Sequence, residues 1–272
     1  MKTSVALIVH NELDKLRDLL PCLSGFDEIV VFDLQSTDGS GEFCRRFGCR
    51  VIRKPINPIA ETYYSELLAE CKNDWVLKLD PDEMPGTKLT DFAKDERELE
   101  KLTLGNIAIV AFPWVFHFKR RKLSGTFWGG IHRKPFLLNR KRVDINPYVH
   151  KGFAQKQPFV RLNFPECKSR LEESEDYQVR HFWIDSWKQF FEKHFRYLRA
   201  EGESRFNTEK KLTVFGFLRK MLKVVRTSLR PRNLLRDGLD GILLSLAWIA
   251  YQFMAHLNQI RVQWRGGRQA GL

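Results

Sequence analysis

The chain has 272 residues, 43% hydrophobic and 29% charged, a balance that excludes wholesale disorder, collagen-like repeats and a polytopic membrane protein. Its net charge of +13 is unevenly spread: 14 Lys and Arg stand against 20 Asp and Glu through Gly105, and 32 against 13 from Asn106 onward. An acidic front and a strongly basic back imply a different partner for each half.

Strand and helix signals alternate through the first hundred residues. Ser4–His10 is a continuous apolar run, suited to a strand buried on both faces. Leu13–Leu23 carries apolar residues at helical spacing, Glu28–Leu34 reads as a second buried strand, and Ser40–Phe47 as a short helix closed by Gly48. Arg50–Arg53 is a third, brief strand. Ala60–Cys71 returns to the helical period, and Trp75–Leu79 is a fourth strand that runs into Asp80. Such alternation with short connections predicts an α/β fold with a doubly wound, mostly parallel sheet and right-handed crossovers. Ligands gather at the carboxyl ends of such strands. Polar residues crowd those ends: His10-Asn11-Glu12, Asp33 with Ser36-Thr37-Asp38, and Asp80-Pro81-Asp82-Glu83.

From Ile107 to Phe159 the pattern turns β-rich and aromatic, with strands expected over Ile107–Phe118 and Pro135–Asn139. Asp185–Ala200 returns to helix. Residues 210–236 hold nine Lys and Arg and no acid, interleaved with apolar residues, which predicts a basic amphipathic helix suited to an anionic lipid interface. Leu239–Leu257 is almost wholly apolar and close to the length of a spanning helix, yet Ser245, Tyr251, Gln252 and His256 dilute it, which favours shallow embedding or packing on the domain. The expected organisation is therefore a front half over 1–105, a second half over 106–208 and a C-terminal helical appendage over 209–272. Five cysteines (Cys22, Cys44, Cys49, Cys71 and Cys167) form no C-x-x-C pair and read as reduced packing thiols. The apolar run Val5–Val9 is too short for the core of a signal peptide, so the expectation is a cytoplasmic protein.

Asp80-x-Asp82 directly after an apolar strand lets two carboxylates face one crevice. Mg²⁺ or Mn²⁺ takes oxygen ligands and commonly bridges one or two carboxylates and substrate phosphates. Alone, the pair is a weak signal, and Pro81 and Pro85 suit a solvated turn equally well.

Three segments in order carry more. Val5-Ala6-Leu7-Ile8-Val9-His10-Asn11-Glu12, Asp27–Asp33 followed by Ser36-Thr37-Asp38-Gly39-Ser40, and Asn73–Leu79 followed by Asp80-Pro81-Asp82-Glu83 together resemble the family 2 glycosyltransferases with their GT-A domain. A later stretch, Trp128 through His132-Arg133-Lys134-Pro135 to Arg140, then Val149-His150 and His181, is similar to the branch that adds sugars to lipopolysaccharide cores and related glycolipids. The resemblance implies a metal-dependent, inverting transfer from a nucleotide-sugar donor to a lipid-linked saccharide at the inner face of the cytoplasmic membrane, with Mg²⁺ or Mn²⁺ as cofactor. It implies nucleotide contacts from Asn11, Glu12, Asp33, Ser36, Asp38 and Asp80, and a metal and diphosphate site at Asp80 and Asp82, with Asp82 the more direct ligand. The base that takes the acceptor proton stays open among Asp144, His150, Glu172 and Glu173, with His150 in the motif position. His132, Arg133 and Arg140 are candidates for an acceptor phosphate. Two rivals remain: a polyprenyl-phosphate sugar synthase of the same fold, and a non-catalytic protein that binds membrane surfaces or nucleic acid through the basic half. The carboxylates Asp33, Asp80 and Asp82 argue against the second, and no nucleic-acid partner is expected.

Overall fold

Thr3–Val9 forms β1, buried along its whole length, and the parallel strands beside it explain why the run is continuously apolar. The computed structural model describes residues 1–57, 59–146, 152–164, 175–209, 211–229 and 235–269. Among these, the chain divides into two compact units, one of residues 1–115 with 131–183 and one of 116–130 with 184–272.

The first unit is a sheet covered on both faces. After β1 come α1 (Leu13–Cys22), β2 (Glu28–Asp33), α2 (Ser40–Arg46), β3 (Arg50–Arg53), a 3-10 turn over Ala60–Tyr63, α3 (Tyr64–Glu70) and β4 (Trp75–Lys78). Then follow β5 (Glu83–Pro85), α4 (Thr87–Lys94), α5 (Glu96–Leu104), β6 (Ile107–Phe118), β8 (His132–Asn139), β9 (Val143–Ile145), β10 (Phe153–Gln155), β11 (Val160–Asn163) and β12 (Val179–Ile184), while the short β7 (Arg121–Lys122) falls in the 116–130 segment of the second unit. The main sheet runs β3-β2-β1-β4-β8-β6-β12-β5. Its first four strands are parallel, as the strand–helix alternation predicts. Beyond β4 the order continues with β8, antiparallel to both β4 and β6. One face buries Leu16, Leu19 and Leu20 of α1 with Leu89, Phe92, Leu99 and Leu102 of α4 and α5; the other buries Tyr64, Leu67 and Leu68 of α3. Helices on both faces leave the carboxyl ends of β2, β1 and β4 as the edge where loops and ligands can meet.

The second unit is built from α6 (Trp187–Thr208), α7 (Val214–Ser228) and α8 (Gly238–Gln269). Ser186 and Thr213 cap the first two by accepting from the amides of Gln189 and Gly216. Gly202 of α6 lies so close to α8 that an added Cβ would stand 3.0 Å from Asn258, and the Asn258 amide donates to the Leu198 carbonyl at 3.0 Å. Before α8 begins, Asp237 accepts from the amides of Ser124, Gly125 and Thr126 at 2.7, 2.8 and 3.2 Å. Phe127 stacks on Trp248 with ring centroids 3.9 Å apart.

The units do not follow the expected boundaries at 105 and 208. The aromatic helix α6 belongs with the C-terminal helices, because its polar residues Glu201 and Arg205 bond to α8 through Tyr251, Gln252 and His256. For the same reason α6 continues past Ala200, where composition alone suggested an end, and α8 continues past Leu257. The four described cysteines, Cys22, Cys44, Cys49 and Cys71, are free thiols; Cys167 lies outside the described residues.

Candidate functional site

The ends of β1 and β2 are tied together by side chains from both loops. The Asn11 amide donates to Ser36 Oγ at 3.0 Å, and Asn11 Oδ1 accepts from the Thr37 amide at 2.8 Å. Ser40 Oγ accepts from the Glu12 amide at 2.9 Å and donates to Asp38 Oδ1 at 2.6 Å. Asp38 Oδ2 in turn accepts from Leu13 at the start of α1. Burial pushes the Asp38 carboxyl up, but the Ser40 hydroxyl and the surrounding amides outweigh it and bring it below its ordinary value. Asp33, at 5% exposure, accepts from the Ser36 amide at 2.9 Å. Gly41 lets the start of α2 approach it, since a Cβ there would stand 2.5 Å from Asp33 Oδ2. Thus Asn11, Glu12, Asp33, Ser36 and Asp38, all candidates on sequence grounds, form one bonded loop pair at the expected edge. Glu12 also pairs with Lys15 at 2.7 Å.

The D-P-D-E segment is a turn. The Glu83 amide donates to the Asp80 carbonyl at 2.9 Å, Pro81 sits at the position where its fixed φ favours a turn, and the Asp80 amide donates to Glu83 Oε2 at 2.8 Å. Lys78 Nζ, 1% exposed, bonds Asp80 Oδ1 at 2.5 Å; Lys134 Nζ from β8 bonds Asp80 Oδ2 at 2.9 Å and Glu83 Oε1 at 2.6 Å. Burial raises the Asp80 carboxyl, yet the Lys134 and Lys78 ammonium groups together hold it well below the usual carboxylate range. Glu83, fully buried, is raised by that burial, with the Asp80 charge adding to it against the pull of Lys134.

Asp82 has a different neighbour. His181 Nε2 of β12 lies 3.2 Å from Asp82 Oδ2, and the imidazole stacks on Trp114 at 4.8 Å between centroids. The Phe182 amide donates to the Asp82 carbonyl at 2.8 Å, and β12 pairs antiparallel with β5, which places His181 opposite Glu83. A carboxylate oxygen beside an imidazole nitrogen is a mixed donor set that suits Mn²⁺ with phosphate oxygens completing the shell, better than Mg²⁺, which takes oxygen ligands. Among the described residues no group of three or more His, Cys, Asp and Glu forms a complete metal site, so a cation here would draw its remaining ligands from substrate or water.

Sequence reasoning missed Lys78, Lys134 and the role of His181. The available signal was a lysine inside the otherwise apolar strand WVLKL; Lys134 and His181 reach the turn only through strand pairings across more than fifty residues. The expected acceptor-phosphate trio is not assembled. Arg133 donates to the Phe164 carbonyl at 2.8 Å, whereas Arg140, past the far end of β8, sits beside Asp74 at the amino end of β4. Seven residue steps separate the two arginines, about 23 Å of extended strand. Asp144 lies exposed on β9. His150, Glu172 and Glu173 lie outside the described residues.

Residues 4–142 match the family model described as Glycosyl transferase family 2. An uncharacterized glycosyltransferase of Rickettsia bellii is 30% identical over 92 residues, 33% of this chain and 31% of the relative. A second, from Rickettsia conorii, is 32% identical over 92 residues, 33% of this chain and 32% of its own length. The chain thus spans about a third of the length of the curated relatives it matches. Among solved structures, glucosyl-3-phosphoglycerate synthase from Mycobacterium tuberculosis, crystallised with Mn²⁺, UDP and glucosyl-3-phosphoglycerate, is 22% identical with a TM-score of 0.34, over 43% of this chain and 44% of that one.

Proposed function

The chain belongs to glycosyltransferase family 2, and from that premise we propose that it transfers a sugar from a nucleotide donor to a lipid-linked saccharide of the lipopolysaccharide-core type, with inversion and with a divalent cation, at the cytoplasmic face of a membrane. The observation that carries this reading is the D-P-D-E turn at the end of β4, with the Asp82 carboxylate 3.2 Å from His181 Nε2. Asp82 and His181 would hold the cation, which when bound neutralises charge on the nucleoside diphosphate leaving group. Asp80, with both carboxylate oxygens already shared with Lys78 and Lys134, keeps the turn in place and sets two fixed ammonium groups beside the crevice. The bonded pair of loops after β1 and β2 offers the nucleotide a pre-organised floor, so little conformational freedom is lost when it binds. The lipid-linked acceptor is supported by the Trp128–Arg140 segment and by the basic composition that follows it.

Calorimetry of UDP binding tests the metal site directly. The expectation is tighter binding with Mn²⁺ than with EDTA, and loss of that difference in His181→Ala. Equal affinity in both buffers for the unaltered protein would remove the Asp82–His181 pair from donor binding.

A further inference from the structure

In the second unit a polar stripe is buried beside apolar residues such as Leu244, Tyr251 and Ala255, while a second, wholly apolar stripe faces outward. Along α8, Ser245, Gln252, His256 and Gln259 recur at spacings of seven, four and three residues and are buried, Gln259 completely. The opposite stripe, Leu239, Leu243, Leu246, Phe253, Leu257 and Trp264, is exposed, with Leu239 and Trp264 each at 72%. The buried stripe meets Glu201 and Arg205 of α6: Arg205 Nε bonds Glu201 at 2.8 Å, and its terminal nitrogens reach His256 Nδ1 at 2.9 Å and Gln252 Oε1 at 3.0 Å. A helix surrounded by water buries the apolar stripe and exposes the polar one. A helix facing hydrocarbon does the reverse and turns its ionisable groups toward the helical interior.

α7 adds the charge. Val214, Phe215, Leu218 and Leu222 stand exposed on one side, at 58–76%, and Arg219, Lys223 and Arg226 lie exposed along the edge of that stripe, with no acid in the helix. An apolar stripe bordered by cations matches the boundary between acyl chains and anionic headgroups. Only the stretch Gly238–Arg265 of α8 is long and apolar enough to cross a bilayer among the described residues. Its polar face is already occupied by α6, which leaves one face for lipid, the arrangement of a helix lying in the interface.

We propose that the outward stripes of α7 and α8 form a surface that inserts into one leaflet of an anionic phospholipid membrane. The proposal rests on the helical unit alone and stands whether or not the sugar acceptor is lipid-linked.

The test uses the full chain with vesicles of phosphatidylglycerol and phosphatidylcholine, and with phosphatidylcholine alone. Co-sedimentation is expected with the mixed vesicles and only partial release in high salt. Brominated acyl chains should quench tryptophan emission, and Trp264→Phe should remove part of that quenching. The double exchange Leu246→Asn with Phe253→Asn alters two half-exposed side chains, of which Phe253 also packs edge-on against Phe217 of α7, so circular dichroism and thermal unfolding check that the fold persists; it should lower partitioning about tenfold or more. Arg219→Glu with Lys223→Glu should lower partitioning to mixed vesicles by a similar factor. Complete release by salt without bromolipid quenching would reduce the surface to a charge contact and overturn insertion. So would unchanged binding of the Leu246/Phe253 variant, or indifference to vesicles by a protein that sediments as an oligomer which that variant dissociates, since a second copy would then cover the stripe.

Discussion

In the sheet unit, Asp80 and Lys134 meet at 36% and 23% side-chain exposure above the buried Lys78 and Glu83; in the helical unit, Glu201 and Arg205 meet at 10% and 9%. Both are networks of opposite charges taken partly or wholly out of water, and both incur desolvation that only complete pairing offsets. They differ in access. The first sits at a strand-end turn where a ligand can share its partners, and the second is closed between two helices, where it can fix which faces of α6 and α8 meet. An ion network is thus a functional candidate through its opening to a crevice, and burial of charge alone does not make it one.

The largest expected effect falls on the turn that carries the open network. Asp82→Asn should reduce sugar transfer about a hundredfold or more in metal-replete buffer while leaving thermal unfolding unchanged; near-normal turnover would detach the turn from catalysis. Lys134→Met and Arg205→Met form the second test. Each strands a buried carboxylate and should lower unfolding free energy by about 3 kcal/mol in urea titrations. Only Lys134→Met should also weaken nucleotide binding. If Arg205→Met weakens it equally, the division into an open and a closed network fails.

The smallest effect is on pH. Asp80 titrates below its unfolded value, so its contribution is fully present above the unfolded carboxylate pKa of about 3.9 and is lost as pH falls from there through the folded value. Glu83, raised by burial, acts in the opposite direction: its deprotonation as pH rises opposes folding. Urea midpoints from about pH 5 to about pH 3 should fall for the unaltered protein and fall less for Asp80→Asn. Parallel curves would show that the lysine pairs do not couple Asp80 to stability.

What the sequence displays is what neighbours along the chain determine. Arg50–Arg53 and Ile107–Phe118 are strands with the expected ends, since apolar runs bounded by turn residues leave little choice of register. Asp33, Asp80 and Asp82 were visible because strand ends are visible. Lys134 lies 54 residues from Asp80 and His181 lies 99 from Asp82, and no local period records that β8 will lie beside β4 or β12 beside β5. In the helical unit the same local rule misleads: Glu201, Arg205, Gln252 and His256 resemble helix ends and interruptions, and they are the contact face itself.

Asp237 makes one further demand. Three consecutive amides of the segment 124–126 depend on its single carboxylate, so the chain just before α8 organises a loop more than a hundred residues earlier. A shortened protein ending at residue 229 would leave those amides to water and give the loop back its conformational freedom, at roughly 1–2 kcal/mol of entropy per residue released. Trimming the C-terminus for expression or crystallisation would therefore also edit the segment around Trp128, and any change in acceptor preference seen in such a protein would have that local melting as its first explanation.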